Sequence, residues 1–147
     1  MIRKGTKADL PAALDLIMEL ARYEKAESEV VNTLELMEKD GFGEQPVFGF
    51  IVAEEGNVIL GMALYYFRYS TWKGKRLYLE DLIVTESHRG SGLGKKLFDG
   101  VVHLAQETGC SGMMWQVLDW NKPAINFYKK YNTTFDEGWI NCHLHFE

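Results

Sequence analysis

Two neighbouring carboxylates and a run of alternating glycines are the residues of this chain best suited to do chemistry. Glu80 and Asp81 interrupt the apolar run LYLEDLIV, residues 77–84, whose composition is that of a strand buried on both faces. Charge there calls for a reason. A carboxylate removed from water holds its proton more tightly, and a base tuned in that way can take a proton from a substrate near neutral pH. The run then passes through a polar turn into Arg89-Gly90-Ser91-Gly92-Leu93-Gly94, followed by Lys95 and Lys96. Glycines in alternate positions fold tightly and leave no Cβ between backbone N–H groups and a ligand. At a helix N-terminus those donors, the helix dipole and the charges of Arg89, Lys95 and Lys96 would cradle a diphosphate. Two commoner cradles fit poorly: a Walker loop needs glycine at 89 and Ser or Thr at 96, and a dinucleotide fingerprint places its third glycine one position beyond Gly94. Plainer alternatives stay open on these residues alone, namely a glycine loop that only caps a helix and a carboxylate that only pairs with a core Arg or Lys.

The elements that must position these groups follow from periodicity. Leu97, Phe98, Val101, Val102 and Ala105 recur at helical spacing, so the order is strand, glycine loop, helix. Upstream, Phe48 to Glu54 and Val58 to Tyr69 flank Glu55-Gly56-Asn57 as an antiparallel hairpin, and Thr71-Trp72-Lys73-Gly74 turns the chain into the Lys75 to Val84 strand. A three-stranded meander thus delivers Glu80. Before it come a short strand from Met1 to Lys4 and a helix capped by Asp9, with Pro11 early in it and Leu10, Leu14, Ile17, Met18 and Ala21 on its apolar face. Tyr23 and Glu24 stand where that helix frays, free to turn toward a ligand. A second helix is expected from Thr33 to Lys39, ending at Asp40-Gly41. Beyond the long helix, Gly112 to Leu118 reads as a buried strand parallel to the Glu80 strand, because a helix crosses between them. Asn121 then caps a helix carrying Ala124, Ile125, Phe127 and Tyr128, and Ile140 to Phe146 alternates as a last strand. These elements make a mixed α/β sheet with helices on both faces.

At 147 residues and 46% apolar composition the chain suits a single domain, residues 1–147. Its 16 basic and 21 acidic residues give a net charge of −5, which opposes a nucleic-acid surface and favours a cationic small molecule. No apolar run is long enough to span a membrane and the start, MIRKGTKADL, lacks the apolar core of a signal peptide, so a cytoplasmic protein is expected. Cys110 and Cys142 are read as plain thiols. His143 and His145 share one face of the last strand but have no third ligand at useful spacing, so no metal is expected.

Taken together the motifs resemble the N-acetyltransferases of the GNAT superfamily. R-G-x-G-[IL]-G after an apolar strand is the coenzyme A pyrophosphate motif of that family, here with YLED before it and NFYK after it. ELARYEK, DGFGE, YYFRYSTWKGK, VLDWN and EGW extend the likeness to the diamine (spermidine/spermine-like) acetyltransferase branch over nearly the whole chain. The resemblance implies the GNAT fold, acetyl-CoA as acetyl-donor co-substrate, and direct transfer to a primary amine through a ternary complex. It assigns the proton relay to Glu80 and the general acid to Tyr128, whose phenol would donate to the departing sulfur. Backbone groups around Leu82, Ile83 and Val84 would stabilise the oxyanion, and cofactor contacts would come from Arg89, Gly90, Ser91, Gly92, Leu93, Gly94, Lys95, Asn121 and Ala124. The substrate pocket would collect Tyr23, Glu24, Trp72, Asp81, Trp120, Glu137 and Trp139. In a regular strand Glu80 and Asp81 point to opposite faces, so this grouping demands an irregularity. Trp115 matches no substrate motif and is expected in the core. Family members are commonly homodimers.

The polyamine-preferring branch has Tyr-Asp-Pro-Trp where this chain has Tyr69-Ser70-Thr71-Trp72, one acid fewer to hold a long polycation. YSTWKGK and VLDWN look more like the branch that prefers thialysine, a lysine analogue with sulfur in its side chain. The expected acceptor is therefore an amino group on a short aliphatic chain, with spermidine/spermine acetylation or a non-catalytic acetyl-CoA-binding module as the alternatives. Protein lysine acetylation would predict an open peptide groove rather than a tryptophan-rich pocket.

Overall fold

In the computed structural model, which describes residues 1–146, the meander forms part of a five-stranded sheet of order β1-β2-β3-β4-β5. The strands are β1 Ile2–Lys4, β2 Gly49–Glu55, β3 Val58–Ser70, β4 Gly74–Val84 and β5 Met113–Met114. Neighbours are antiparallel as far as β4, and β5 joins β4 in parallel, as the crossover helix requires. Glu55 pairs with Val58, so the first hairpin closes through Gly56-Asn57 alone. The long β3–β4 hairpin runs out beyond the core, and Phe67, Tyr69 and Trp72 near its tip are exposed.

Helices cover both faces of this sheet. α1, Leu10–Tyr23, and α2, Leu34–Phe42, lay Leu10, Ala13, Leu16 and Met37 on Phe50, Val52, Met62, Leu64 and Ile83. These strand positions alternate, which is why one face takes all of them. Thr33 caps α2 by accepting from the Leu36 N–H at 3.2 Å, and the helix continues past the expected stop to Phe42. α3, Leu93–Glu107, packs on the other face, close enough that a Cβ on Gly61 would lie 3.1 Å from Leu97 Cδ1 and 2.7 Å from the Ile83 carbonyl. Trp115, expected in the core, is half-buried at its margin and meets buried Phe98 edge to face at 5.2 Å.

At the β1 end, Asp9 does not cap α1 with its side chain. It accepts instead from the Thr6 N–H at 2.7 Å and from Arg3, whose guanidinium also bridges to Glu54.

The chain forms two compact units, one from Met1 to Trp115 and one from Gln116 onward. In the second, α4, Lys122–Tyr128, is capped by Asn121, which accepts from the Ala124 N–H at 3.3 Å. Two strand expectations are corrected. Of 112–118 only Met113–Met114 is strand, and 140–146 has no strand at all. Alternation becomes a strand only where a neighbour takes up the backbone N–H and C=O groups, and no such ladder involves 140–146 among the described residues. Among those residues, too, no helix is long and apolar enough to cross a membrane.

Candidate active site

The irregularity that the paired carboxylates demand is present in β4. Tyr65 pairs with Leu79 but Leu64 pairs with Asp81, so Glu80 is an extra residue, a β-bulge. Cross-strand partners share a face, and Met62, Leu64 and Tyr66 alternate along one face of β3. Their partners Ile83, Asp81 and Tyr78 therefore lie on that face, the one under α1. Glu80 joins them: Tyr66 donates its hydroxyl to Glu80 Oε1 at 3.3 Å and stacks on Tyr78 at 5.1 Å between centroids. One inserted residue thus turns two carboxylates that would diverge onto a common face.

Of the two carboxylates it is Asp81, not Glu80, that is withdrawn from water, and it is half-buried. Glu80 is exposed, whereas burial pushes the Asp81 carboxyl up to about 7, with the charges of Glu80 and then Glu24 adding to the rise. Glu24 follows the last residue of α1, and burial raises its carboxyl also. None of the three acids is paired with a cationic side chain among the described residues. That disposes of the plainer alternative in which Glu80 serves a core arginine. Tyr66 is held up to about 12, by burial first and Glu80 second, so it stays a donor.

Past Tyr78 the outer edge of β4 has no strand partner among the described residues, because β5 pairs only with Leu77 and Tyr78. Thr85 donates its N–H to the Leu60 carbonyl, inward across the sheet. Two-residue alternation then directs the N–H groups of Leu82 and Val84 to the open edge, while Ile83 packs in the core. Donors on an unpaired edge can meet developing negative charge, the role expected of this stretch.

The glycine loop adopts a geometry that only its own sequence permits. Gly90 and Gly92 have φ of +80° and +87°, and a Cβ on either would project into open space, the volume a ligand would occupy. Gly92 also caps α3, so no side chain competes for the free N–H groups of its first turn. Ser91 donates its hydroxyl to the His88 carbonyl and so braces the loop. These residues fit a diphosphate. Arg89 differs from expectation, since its guanidinium turns away from the loop. It donates to the Val84 carbonyl at 3.1 Å, pairs with Glu19 at 3.6 Å and lies 5.3 Å from the centre of the Tyr23 ring. Glu19 in turn accepts from Thr85 Oγ1 at 2.9 Å and from the Glu86 N–H at 3.2 Å. Lys95 pairs with Asp99 at 2.6 Å, and Lys96 is exposed beside it.

Glu24 and Asp81 are thus brought near each other by the end of α1 and by β4, while Tyr23 stands beside Arg89. Trp72 is not beside them; it stands 93% exposed at the hairpin tip, and from Gly74 to Glu80 the strand rises six steps, about 20 Å. In the second unit, Tyr128 is buried on α4, edge to face with Phe127 at 5.4 Å, and burial pushes its phenol up to about 12. Trp120, Glu137 and Trp139 are exposed there, and Trp139 donates its indole N–H to Asp136 at 2.9 Å. Tyr66, Tyr78 and Glu19 escaped the sequence reading. Only the pairing of Tyr66 with Tyr78 across the hairpin carried a signal, and the bulge disguised its relation to Glu80.

A half-buried acid beside two more acids, an open strand edge and a glycine loop at a helix N-terminus describe a group-transfer site that grips a diphosphate-bearing donor. The chain belongs to the acetyltransferase (GNAT) family, whose family model matches residues 12–132. It is an acyltransferase with acetyl-CoA as its acetyl donor. Over 150 residues it is 43% identical to thialysine N-epsilon-acetyltransferase of Bos taurus, covering 95% of this chain and 88% of that one. It is 36% identical over 148 residues to spermidine/spermine N(1)-acetyltransferase-like protein 1 of Homo sapiens, covering 94% of this chain and 21% of the relative. Its fold is also that of the aminoglycoside N-acetyltransferase AAC(6')-Iy solved in complex with CoA, with a TM-score of 0.74, 19% identity and 99% of each chain covered.

Proposed function

We propose that the enzyme acetylates the primary amine of a small aliphatic acceptor such as thialysine or a short diamine. The observation that carries this reading is the group Glu24, Glu80 and Asp81, three carboxylates near one another and, among the described residues, paired with no cationic side chain. Such a group holds an ammonium ion by charge and, through Asp81, takes its proton close to neutral pH. An alkyl amine has a pKa near about 10.4, so it arrives charged and must lose a proton before it can attack. Asp81 and Glu80 are the acceptors of that proton, and Tyr66 orients Glu80 by its hydrogen bond. The loop 89–94 with the first turn of α3 holds the donor's diphosphate, and the Leu82 and Val84 N–H groups face the transferred carbonyl. Acetyl-CoA supplies the activated acetyl group. Tyr128, protonated throughout the physiological range, is the hydrogen-bond donor assigned to the departing sulfur.

The identity with thialysine acetyltransferases supports the choice of acceptor, and the exposed apolar tip Phe67, Tyr69 and Trp72 supports a homodimer in which that tip is covered. Two free cysteines, Cys110 and Cys142, accord with action in the reducing cytoplasm. The test incubates enzyme and acetyl-CoA with thialysine, lysine, putrescine and spermidine and follows free thiol. Turnover highest with thialysine or putrescine supports the proposal, spermidine as best substrate moves the enzyme to the polyamine reading, and tight acetyl-CoA binding without turnover on any amine overturns catalysis.

A further inference from the structure

The face of the β3–β4 hairpin that carries the acids carries two arginines further along. Arg68 and Arg76 are direct cross-strand partners, the third pair outward from Tyr65 and Leu79 and next to the Tyr66–Tyr78 stack on the same face. Two like charges set opposite each other repel, so the pair weakens the hairpin unless something negative lies between them. Neither guanidinium has a carboxylate partner among the described residues. Arg68 reaches only Met114 Sδ at 2.9 Å and the Tyr78 ring, 5.8 Å from its centroid, while Arg76 donates one Nη2 bond to the Met113 carbonyl at 3.0 Å. Arg76 Nε is buried with no hydrogen-bond partner among the described residues. A buried donor on a cation, left unsatisfied beside a second unpaired cation, has the chemistry of a site for an anion.

Its distance from the acids sets the kind of anion. On β3, Arg68 lies four residues from Leu64, the partner of Asp81, or about 13 Å of backbone. The side chains shorten that gap, because the Arg68 guanidinium leans over Tyr78 and the Glu80 carboxylate leans to Tyr66. What separates the two charged ends is a single pair of stacked tyrosine rings. A lysine or thialysine carries its side-chain amine and its carboxylate six bonds apart, about 7–8 Å when extended. The methylene stem would lie along the rings and the α-ammonium, beside exposed Arg68, would keep its water.

We propose that Arg68 and Arg76 bind the α-carboxylate of the acceptor, so that the enzyme prefers a basic amino acid to the diamine lacking that carboxylate. This rests on the amine-acetyltransferase reading above and goes beyond it by naming residues that discriminate among amines.

The experiment compares catalytic efficiency for thialysine with that for its decarboxylated diamine and for thialysine methyl ester, in the wild type and in Arg68→Gln and Arg68→Gln/Arg76→Gln. Arg68 is exposed, so the single variant keeps the proposal testable should the double variant fail to fold. Wild type should favour thialysine by roughly 10- to 100-fold over both carboxylate-blocked compounds, through KM and with little change in kcat. The variants should lose that preference while acetylating the diamine as well as wild type does. A preference for the diamine in wild type, or a ratio unchanged by Arg68→Gln, overturns the carboxylate site and leaves amine acetylation standing. Absence of thiol release with every amine overturns both.

Discussion

Two groups of carboxylates sit on the same sheet and are treated in opposite ways. At the β1 end, Asp9 and Glu54 flank Arg3 at 2.7 and 3.1 Å, and Arg3 with the Thr6 hydrogen bond holds the Asp9 carboxyl down to about 2. At β4, Glu80 and Asp81 lie near Glu24 from the end of α1 with no cationic side chain paired to them among the described residues, and Asp81 is pushed up to about 7. The first group is satisfied within the protein and ties β1, β2 and the start of α1 together. The second is left for something outside to satisfy. Acids that serve the fold come with their counter-charge, whereas acids that serve a substrate are kept without it, at some expense in stability.

Replacing Asp81 by Asn should have the largest effect on activity, lowering kcat/KM by about 10²- to 10⁴-fold. In wild type kcat/KM should climb with pH through an inflection near 7 as Asp81 loses its proton. Activity that survives Asp81→Asn, with that inflection intact, would return the base to Glu80.

The same isosteric change at both groups should alter stability with opposite signs. Asp9 has a folded pKa below its ordinary 3.8, so its contribution is present above about pH 4 and lost as the pH falls toward 2. Asp9→Asn should therefore lower unfolding free energy at pH 7 by roughly 1–3 kcal/mol, the gap closing in acid. Asp81 has a folded pKa above its ordinary value, so its stabilising share is present below about pH 4 and lost as the pH rises through about 7. Asp81→Asn should accordingly raise stability at pH 8 by roughly 1–2 kcal/mol. Denaturant titrations of both variants at pH 5 and pH 8 check the pair, and a loss of stability at pH 8 from Asp81→Asn would erase the contrast.

Tyr66→Phe should have the smallest effect, about 3- to 10-fold in kcat/KM, since it removes one neutral donor from exposed Glu80 and keeps the ring stack. A steady-state assay at saturating acetyl-CoA reads it, and no change at all would mean that Glu80 needs no orienting.

Much of this site could be read from the chain because its parts are local. Asn121 and Thr33 cap their helices as residue type predicts, and the glycine loop opens α3 where the apolar spacing begins. Other parts were misread for one reason. Whether Glu80 or Asp81 is buried depends on which residue β3 leaves unpaired, and whether Arg89 faces the loop depends on Glu19, far away on α1. The alternation in 140–146 likewise implied a strand that needs a partner to exist.

The sequence by itself determined the order strand, glycine loop, helix and the membership of the family, because helix spacing, strand alternation and a left-handed glycine are properties of adjacent residues. Only the tertiary structure decided that Asp81 is the more withdrawn of the two acids, that Glu80 turns to the same face, and that two arginines stand opposite each other beyond them. Register and burial are settled between strands, where a single inserted residue reassigns every side chain that follows it.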